Sequence, residues 1–366
     1  MKIISNYTED TRTVPHYSGG YEWWYFDGIS EDGKYSFVII FYEGNPFSLR
    51  YIQALDREEE PTPSEYPAIS IAVYEDSQPV YYSFTEFQKE NCMFKEDQIF
   101  VAIGPHQMEG TAQGDKLEYK LQLKEQLPSG DKIEGELRFK GEIPGPFFGD
   151  NGKKDKQNLI NHRWNLVLPR ANVVGNITLS AGNKESLRRT IEFNGTGYHD
   201  HNTGREPMLN SFEDWYWGRF HFNYATLVYY IMNREEEQQY EAWLIDRQNN
   251  QVLTTFDEIN LYDRSFSLFG LLTAHKLMFR SKGIEVQVQQ SDKKDNGPFY
   301  QRFGSRAYLN IPDEEILESQ KGISEYIQPS RIHCRLFWPL IRMRIRQASG
   351  KPHWVQRSKR LYPWTW

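Results

Sequence analysis

Tyr21-Glu22-Trp23-Trp24-Tyr25-Phe26-Asp27-Gly28 packs five aromatic side chains into eight residues. Aromatic side chains at this density suit a pleated, half-buried strand. In an extended chain successive side chains point to opposite faces, so Glu22, Trp24 and Phe26 share one face and Trp23, Tyr25 and Asp27 the other. The plain structural role for such a strand is to floor a barrel, with the acids satisfying indole N–H groups. Working outward, short β-rich segments separated by turn residues follow at 35–42, 68–74, 80–84, 98–103, 117–123 and 133–139. Their brevity and regular spacing predict an up-and-down meander. A second series follows at 173–179, 190–198, 215–222, 225–233, 240–246, 276–280, 284–290 and 305–311. One short helix is expected, at Pro312-Asp-Glu-Glu-Ile-Leu-Glu-Ser, with proline and acids in its first turn.

A chain of 366 residues suits two such halves, each able to bury its own core. The Gly-, Pro- and Lys-rich run after Gly141 is linker chemistry and places the boundary near residue 155, giving domains 1–155 and 156–366. Glu22-Trp-Trp-Tyr25 opens the first half, and Asp214-Trp-Tyr-Trp217 repeats its character half a chain later, as a duplicated architecture would. Net charge is −7, which argues against a groove that tracks phosphates and hence against nucleic acid. The amino terminus turns polar before any core of signal-peptide length and no apolar run is long enough to span a bilayer, so a cytoplasmic protein is expected. Cys92 and Cys334 are too few and too far apart for a disulfide framework or a metal spacing.

Chemistry concentrates in Gly195-Thr-Gly-Tyr198-His199-Asp200-His201-Asn202-Thr-Gly204. On a strand His199 and His201 share one face, and Tyr198, Asp200 and Asn202 the other. A His-x-His pair with a distant third ligand such as His221 is one zinc geometry. The favoured reading is a metal-free proton-handling cluster, in which an Asp orients a His and a Tyr or Asn positions water. A structural polar network at a sheet edge is the third reading. Downstream, Trp215, Trp217, Arg219 and His221 share one face of a strand, where aromatic rings could stabilise a cation or simply stack on arginine.

Taken in order, Glu22-Trp-Trp-Tyr-Phe-Asp27, His162-Arg-Trp-Asn-Leu-Val-Leu-Pro169-Arg-Ala-Asn-Val-Val-Gly175, Gly195-x-Gly-Tyr-His-Asp-His-Asn202 and Trp215-Tyr-Trp-Gly-Arg219 resemble the carotenoid 1,2-hydratase family over about residues 20–235. The resemblance implies an all-β protein of two lipocalin-like, calycin-type antiparallel β-barrels, as in the AttH-like relatives and the lipocalin-like Diels–Alderases. It implies an enzyme without organic cofactor or metal that hydrates a terminal isoprenoid alkene, an acid protonating the double bond and water capturing the tertiary cation. With the product left open, capture by an internal alkene would instead make a cyclase. Asp200, His199, His201 and Tyr198 are the expected catalytic groups. Glu22, Trp24, Asn202, Trp215, Trp217, Arg219 and Tyr230 are expected to line a hydrophobic substrate. The chain departs from the pattern at Thr203, where an aromatic is expected, and at 224–232, which carries no carboxylate. A pericyclase that only folds a polyene and a carrier that performs no chemistry are the alternatives.

No acid occurs after Glu325, while Arg331, Arg335, Arg342, Arg344, Arg346, Lys351, Arg357, Lys359 and Arg360 do. Ile341-Arg-Met-Arg-Ile-Arg346 alternates at the strand period, predicting an arginine face, with tryptophans close in sequence. These arginines either pair with acids elsewhere on the protein or give a peripheral contact with an anionic membrane that holds the substrate.

Overall fold

Alternation of polar and apolar residues sets most of the architecture. Along Lys116–Gln126 the chain buries Leu117, Tyr119, Leu121 and Leu123 and turns Gln122 and Lys124 to solvent, the pattern of a strand with one face on a core. The computed structural model describes residues 1–13, 17–143, 162–182, 188–234, 237–248 and 250–365. Within these it is almost entirely β, with two curled half-barrel sheets of the lipocalin-like kind.

The first unit comprises Met1–Met208 and Trp338–Thr365, the second Leu209–Phe337. The boundary expected near residue 155 lies outside the described residues. In the first unit the strands are β1 (Lys2–Ile4), β2 (Tyr21–Ser30), β3 (Tyr35–Glu43), β4 (Ala68–Glu75), β5 (Gln78–Glu86), β6 (Cys92–Phe94), β7 (Phe100–Ile103), β8 (His106–Gln113), β9 (Lys116–Gln126), β10 (Asp131–Glu142), β11 (His162–Ala181) and β12 (Arg188–Gly204). In the second they are β13 (Asp214–His221), β14 (Ala225–Arg234), β15 (Glu237–Asp246), β16 (Val252–Thr255), β17 (Glu258–Phe266), β18 (Leu272–Ser281), β19 (Ile284–Asn296), β20 (Tyr300–Ile311) and β21 (Ile316–Ile327). A final strand, β22 (Arg346–Gln347), returns to the first sheet and pairs in parallel with β5.

Both sheets follow one plan. In the first, the meander β2-β3-β4-β5 and the meander β6 to β12 join where β2 pairs antiparallel with β12. In the second, β13-β14-β15-β16 and β17 to β21 join where β13 pairs with β21. The two Trp-rich motifs therefore open equivalent strands, which accounts for their echo. Each supplies large flat side chains where the two meanders of its sheet join.

The second unit has its core on one face of its sheet, around Phe220, Leu227, Tyr229, Leu244, Leu277, Phe279 and Phe303. In the first, Phe26 packs edge-on against Phe41, Tyr119 and Phe139. Register slips in β11 between Asn165 and Ala171, around Pro169, whose missing N–H cannot serve a continuous ladder. Gly195 and Gly197 are needed for close approach rather than for unusual dihedral angles: a Cβ on Gly195 would lie 2.1 Å from the Ile29 carbonyl oxygen, and on Gly197 2.5 Å from that of Asp27.

Two local expectations are corrected. The helix expected from Pro312 stops after one 3-10 turn, Pro312–Glu314, because Glu315 adopts a left-handed φ of 54° and Ile316 onward pairs with β20. Residues 341–346 are not a strand with an arginine face. Trp338–Arg344 is a short helix, which buries Ile341 and Arg344 and leaves Arg342 exposed. Arg344 Nε donates to the Thr365 carbonyl, and Arg346 Nη2 donates to Glu125 Oε1 at 2.6 Å. Tertiary hydrogen bonds have overridden a two-residue alternation too short to hold a strand.

Candidate active site

β2 and β12 lie side by side with Trp23 opposite Asn202, Tyr25 opposite Asp200 and Asp27 opposite Tyr198, alternating with Glu22 opposite Thr203, Trp24 opposite His201 and Phe26 opposite His199. Directly opposed residues share a face. The run 198–202 thus divides between two faces of the sheet, as the strand period predicts, and forms two separate clusters.

The first cluster is a sealed ionic network. His199 Nδ1 donates to the Tyr25 carbonyl at 2.9 Å, and its Nε2 lies 3.0 Å from Asp10 Oδ2. The same Asp10 oxygen accepts the Tyr119 hydroxyl. His201 Nε2 donates to Glu22 Oε1 at 2.7 Å, and its Nδ1 makes an ionic contact of 3.2 Å with Asp10 Oδ1 outside hydrogen-bonding angles. Trp24 stacks on the His201 ring with centroids 4.6 Å apart and donates its indole N–H to the Asp10 carbonyl at 3.0 Å. Phe26 stacks on His199 at 3.9 Å. Asp10, Glu22, His199 and His201 are all fully buried. Beside them Arg12 forms a two-pronged pair with Glu43, at 2.7 and 2.5 Å. The carboxylates that orient the imidazoles are thus Asp10 and Glu22, and Asp200 is not among them.

Burial opposes charge on Asp10, but the neighbouring His199 and His201 outweigh it and hold the carboxyl at about 2. Burial likewise opposes charge on His201, yet Glu22 and Asp10 lift it to about 9. The signs are opposite. Asp10, lowered on folding, contributes stability present above its ordinary value near 4 and lost as pH falls through 2. His201, raised on folding, contributes stability complete below about 6.5 and lost as pH rises through 9. Thermal unfolding should therefore give the highest melting temperature between about pH 4 and 6.5, with a decline toward pH 9 that is absent in His201→Gln. A melting temperature that rises from pH 6.5 to 9 would contradict this assignment of charges.

The second cluster centres on Asp200. Its Oδ2 accepts the Trp164 indole N–H at 2.8 Å and the Tyr198 hydroxyl at 2.7 Å, and its Oδ1 accepts the Asn202 amide at 3.0 Å. Trp164 reaches it because β11 runs beside β12 with Trp164 opposite Asn202. Tyr25 meets Tyr198 edge-on at 6.1 Å, and buried Asp27 stands opposite Tyr198, so the face combines two carboxyls, Asp200 and Asp27, with several aromatic rings. Nearby His162 is hydrogen-bonded to the Tyr21 hydroxyl at 2.9 Å, and burial pushes it down to about 3, so it is neutral at physiological pH.

Trp215, Trp217 and Arg219 lie in the second unit on β13, with Tyr230 opposite Trp217 on β14. Their face of the sheet is the one turned away from the Phe220 core. Trp215 stacks on Tyr230 at 6.1 Å, and buried Arg219 lies 3.3 Å from His221 Nδ1. Next to them on this face, Arg302 donates to Glu325 at 2.9 Å. Of the expected residues, the structure joins His199, His201, Glu22 and Trp24 in one cluster and Tyr198, Asp200 and Asn202 in another. Asp10, Tyr119 and Trp164 escaped the sequence reading. Asp10 sits in a short aperiodic amino-terminal segment, 189 residues from His199, and nothing local marks it. Trp164 lies in the motif His162-Arg-Trp, but only strand register reveals its partner.

Fold and site together define an all-β protein of two lipocalin-like units with a buried carboxyl set among aromatic rings. The profile of the carotenoid hydratase CrtC family matches residues 39–353, and the chain belongs to that family. It is 29% identical to the hydroxyneurosporene dehydrogenase of Chlorobaculum tepidum over 331 residues, 87% of this chain and 85% of that protein. It is 27% identical to the acyclic carotenoid 1,2-hydratase of Thiocapsa roseopersicina, over 60% of this chain and 49% of the relative. Among solved structures, CghA bound to Sch210972 has a TM-score of 0.55 at 11% identity, covering 89% of this chain and 98% of that one, which shows a shared fold.

Proposed function

We propose that this protein hydrates a terminal alkene of an acyclic carotenoid, with Asp200 as the proton donor. The observation that carries the reading is the Asp200 carboxyl held by three donors, Trp164, Tyr198 and Asn202, on an aromatic face. A carbon-bound proton must come from a strong acid, and donors already aimed at the carboxyl stabilise the carboxylate left behind. Proton transfer to the less substituted alkene carbon leaves a tertiary cation, which the ring faces of Tyr25 and Trp164 stabilise. Water then forms the new C–O bond and returns its proton to Asp200. Nothing is oxidised or reduced, so the step needs no redox cofactor.

His199 and His201 point to the opposite face of β12, and in this reading they are positioning residues. Their network with Asp10 and Glu22 pins the amino-terminal segment and β2 against β12, fixing the backbone that presents Asp200. Incubating dialysed protein with a detergent-solubilised acyclic carotene in D2O enriched with H2(18)O tests the chemistry. The expected product gains one water, with 18O in the hydroxyl and one deuterium on the adjacent carbon. Loss of two hydrogens, as the name of the Chlorobaculum tepidum relative would suggest, or a product without either label, would overturn the reading.

A further inference from the structure

We propose that the C-terminal segment of the first unit is a docking surface for anionic phospholipid, with a headgroup phosphate seated in a hollow between the helices Leu49–Asp56 and Trp338–Arg344. The hollow encloses about 330 Å³ and is lined by Arg50, Arg342, Lys351 and His353, with Glu86 at its floor. Glu86 is buried, and its carboxylate lies 3.8 Å from Arg50. Among the described residues Arg342 and Lys351 have no ion-pair partner, so positive charge remains for an incoming anion. His353 Nδ1 accepts the Val355 N–H at 3.3 Å, which leaves its Nε2 to act as a donor.

The surroundings suit a membrane rather than a free anion. No Asp or Glu occurs between residues 338 and 365. Trp354, whose ring lies 5.7 Å from that of His353, is 66% exposed, and Trp364 is 69% exposed. Indoles left in water beside exposed Arg357 and Arg360 match the headgroup level of a bilayer, where tryptophan concentrates and basic side chains meet anionic lipid. The platform is cross-tied by hydrogen bonds to its own backbone. The Gln356 amide donates to the carbonyls of Arg342 and Met343, both at 3.1 Å, and Tyr362 to that of Arg344 at 3.0 Å. Arg344 and Arg346 belong to this framework, so the docking charge resides in Arg342, Lys351 and their exposed neighbours.

Sedimentation with phosphatidylcholine vesicles, with and without phosphatidylglycerol, tests the surface on the full chain. Binding is expected only with phosphatidylglycerol and should weaken as salt screens the attraction. The double variant Arg342→Ser/Lys351→Ser should lower partitioning about 30-fold, and Trp354→Ala about 10-fold, whereas exposed Lys116→Ser should leave it unchanged. None of these residues touches Asp200, so turnover of detergent-solubilised substrate should hold in every variant, whatever the reaction proves to be. Absence of binding to the anionic vesicles, or unchanged binding by the double variant, would overturn the proposal. Tight binding of soluble glycerol phosphate in the hollow without vesicle binding would also overturn it, by making the ligand a free phosphate.

Discussion

Asp200→Asn is expected to lower turnover of an acyclic carotenoid by about 10³-fold, the scale of a positioned general acid, while unfolding by urea changes little. The amide keeps the shape of the carboxyl, its oxygen can still accept from Trp164 and Tyr198, and its NH2 can donate to the Asn202 amide once that amide turns over, but it has no acidic proton to give an alkene. Tyr198→Phe removes one of the two donors on Oδ2 and keeps the ring, so about a ten-fold loss is expected, in line with one hydrogen bond to a charged group. The split between the two variants is informative. A structural role for Asp200 would reduce stability and activity together, whereas an acid role reduces only the rate. Measured single-turnover rates alongside urea midpoints separate these cases, and an Asp200→Asn protein with near-normal turnover would refute the assignment.

Asp10→Ala is expected to have the opposite profile, a loss of about 3–5 kcal/mol in stability. Removing Asp10 leaves the His201 imidazolium with only Glu22 and strips the Tyr119 hydroxyl and His199 Nε2 of their common acceptor, all without access to water. A buried charge that loses a partner is costly because nothing replaces its solvation. The imidazole of His201 should also titrate below its present value of about 9, visible by NMR on ring-labelled histidine. Paired measurements on Asp10→Ala and Asp200→Asn would show whether the two faces of β12 divide the work between holding the fold and running the reaction. A loss below about 1 kcal/mol for Asp10→Ala would mean that the network is of little consequence.

The sequence alone determined the β architecture, because polar and apolar residues alternate along segments such as Lys116–Gln126 and such a period permits one fold class. It also determined the division of 198–202 into two faces, since alternation along a strand needs no knowledge of what lies beyond it. The order of four motifs was enough to point to the family. Only the tertiary structure decided the rest. Which acid meets which imidazole depends on contacts such as Asp10 to His199, made by folding an aperiodic segment against a strand 189 residues away. Trp164 became a partner of Asp200 through the register of β11 on β12, which is fixed by whole-strand packing. Arg344 and Arg346 read as a charged strand face, yet one lies on a buried helical turn and the other pairs with Glu125, because local alternation over six residues cannot outweigh buried long-range hydrogen bonds. Short-range periodicity is written in the chain itself, whereas the identity of a buried polar partner is settled only when distant segments compete for the same space.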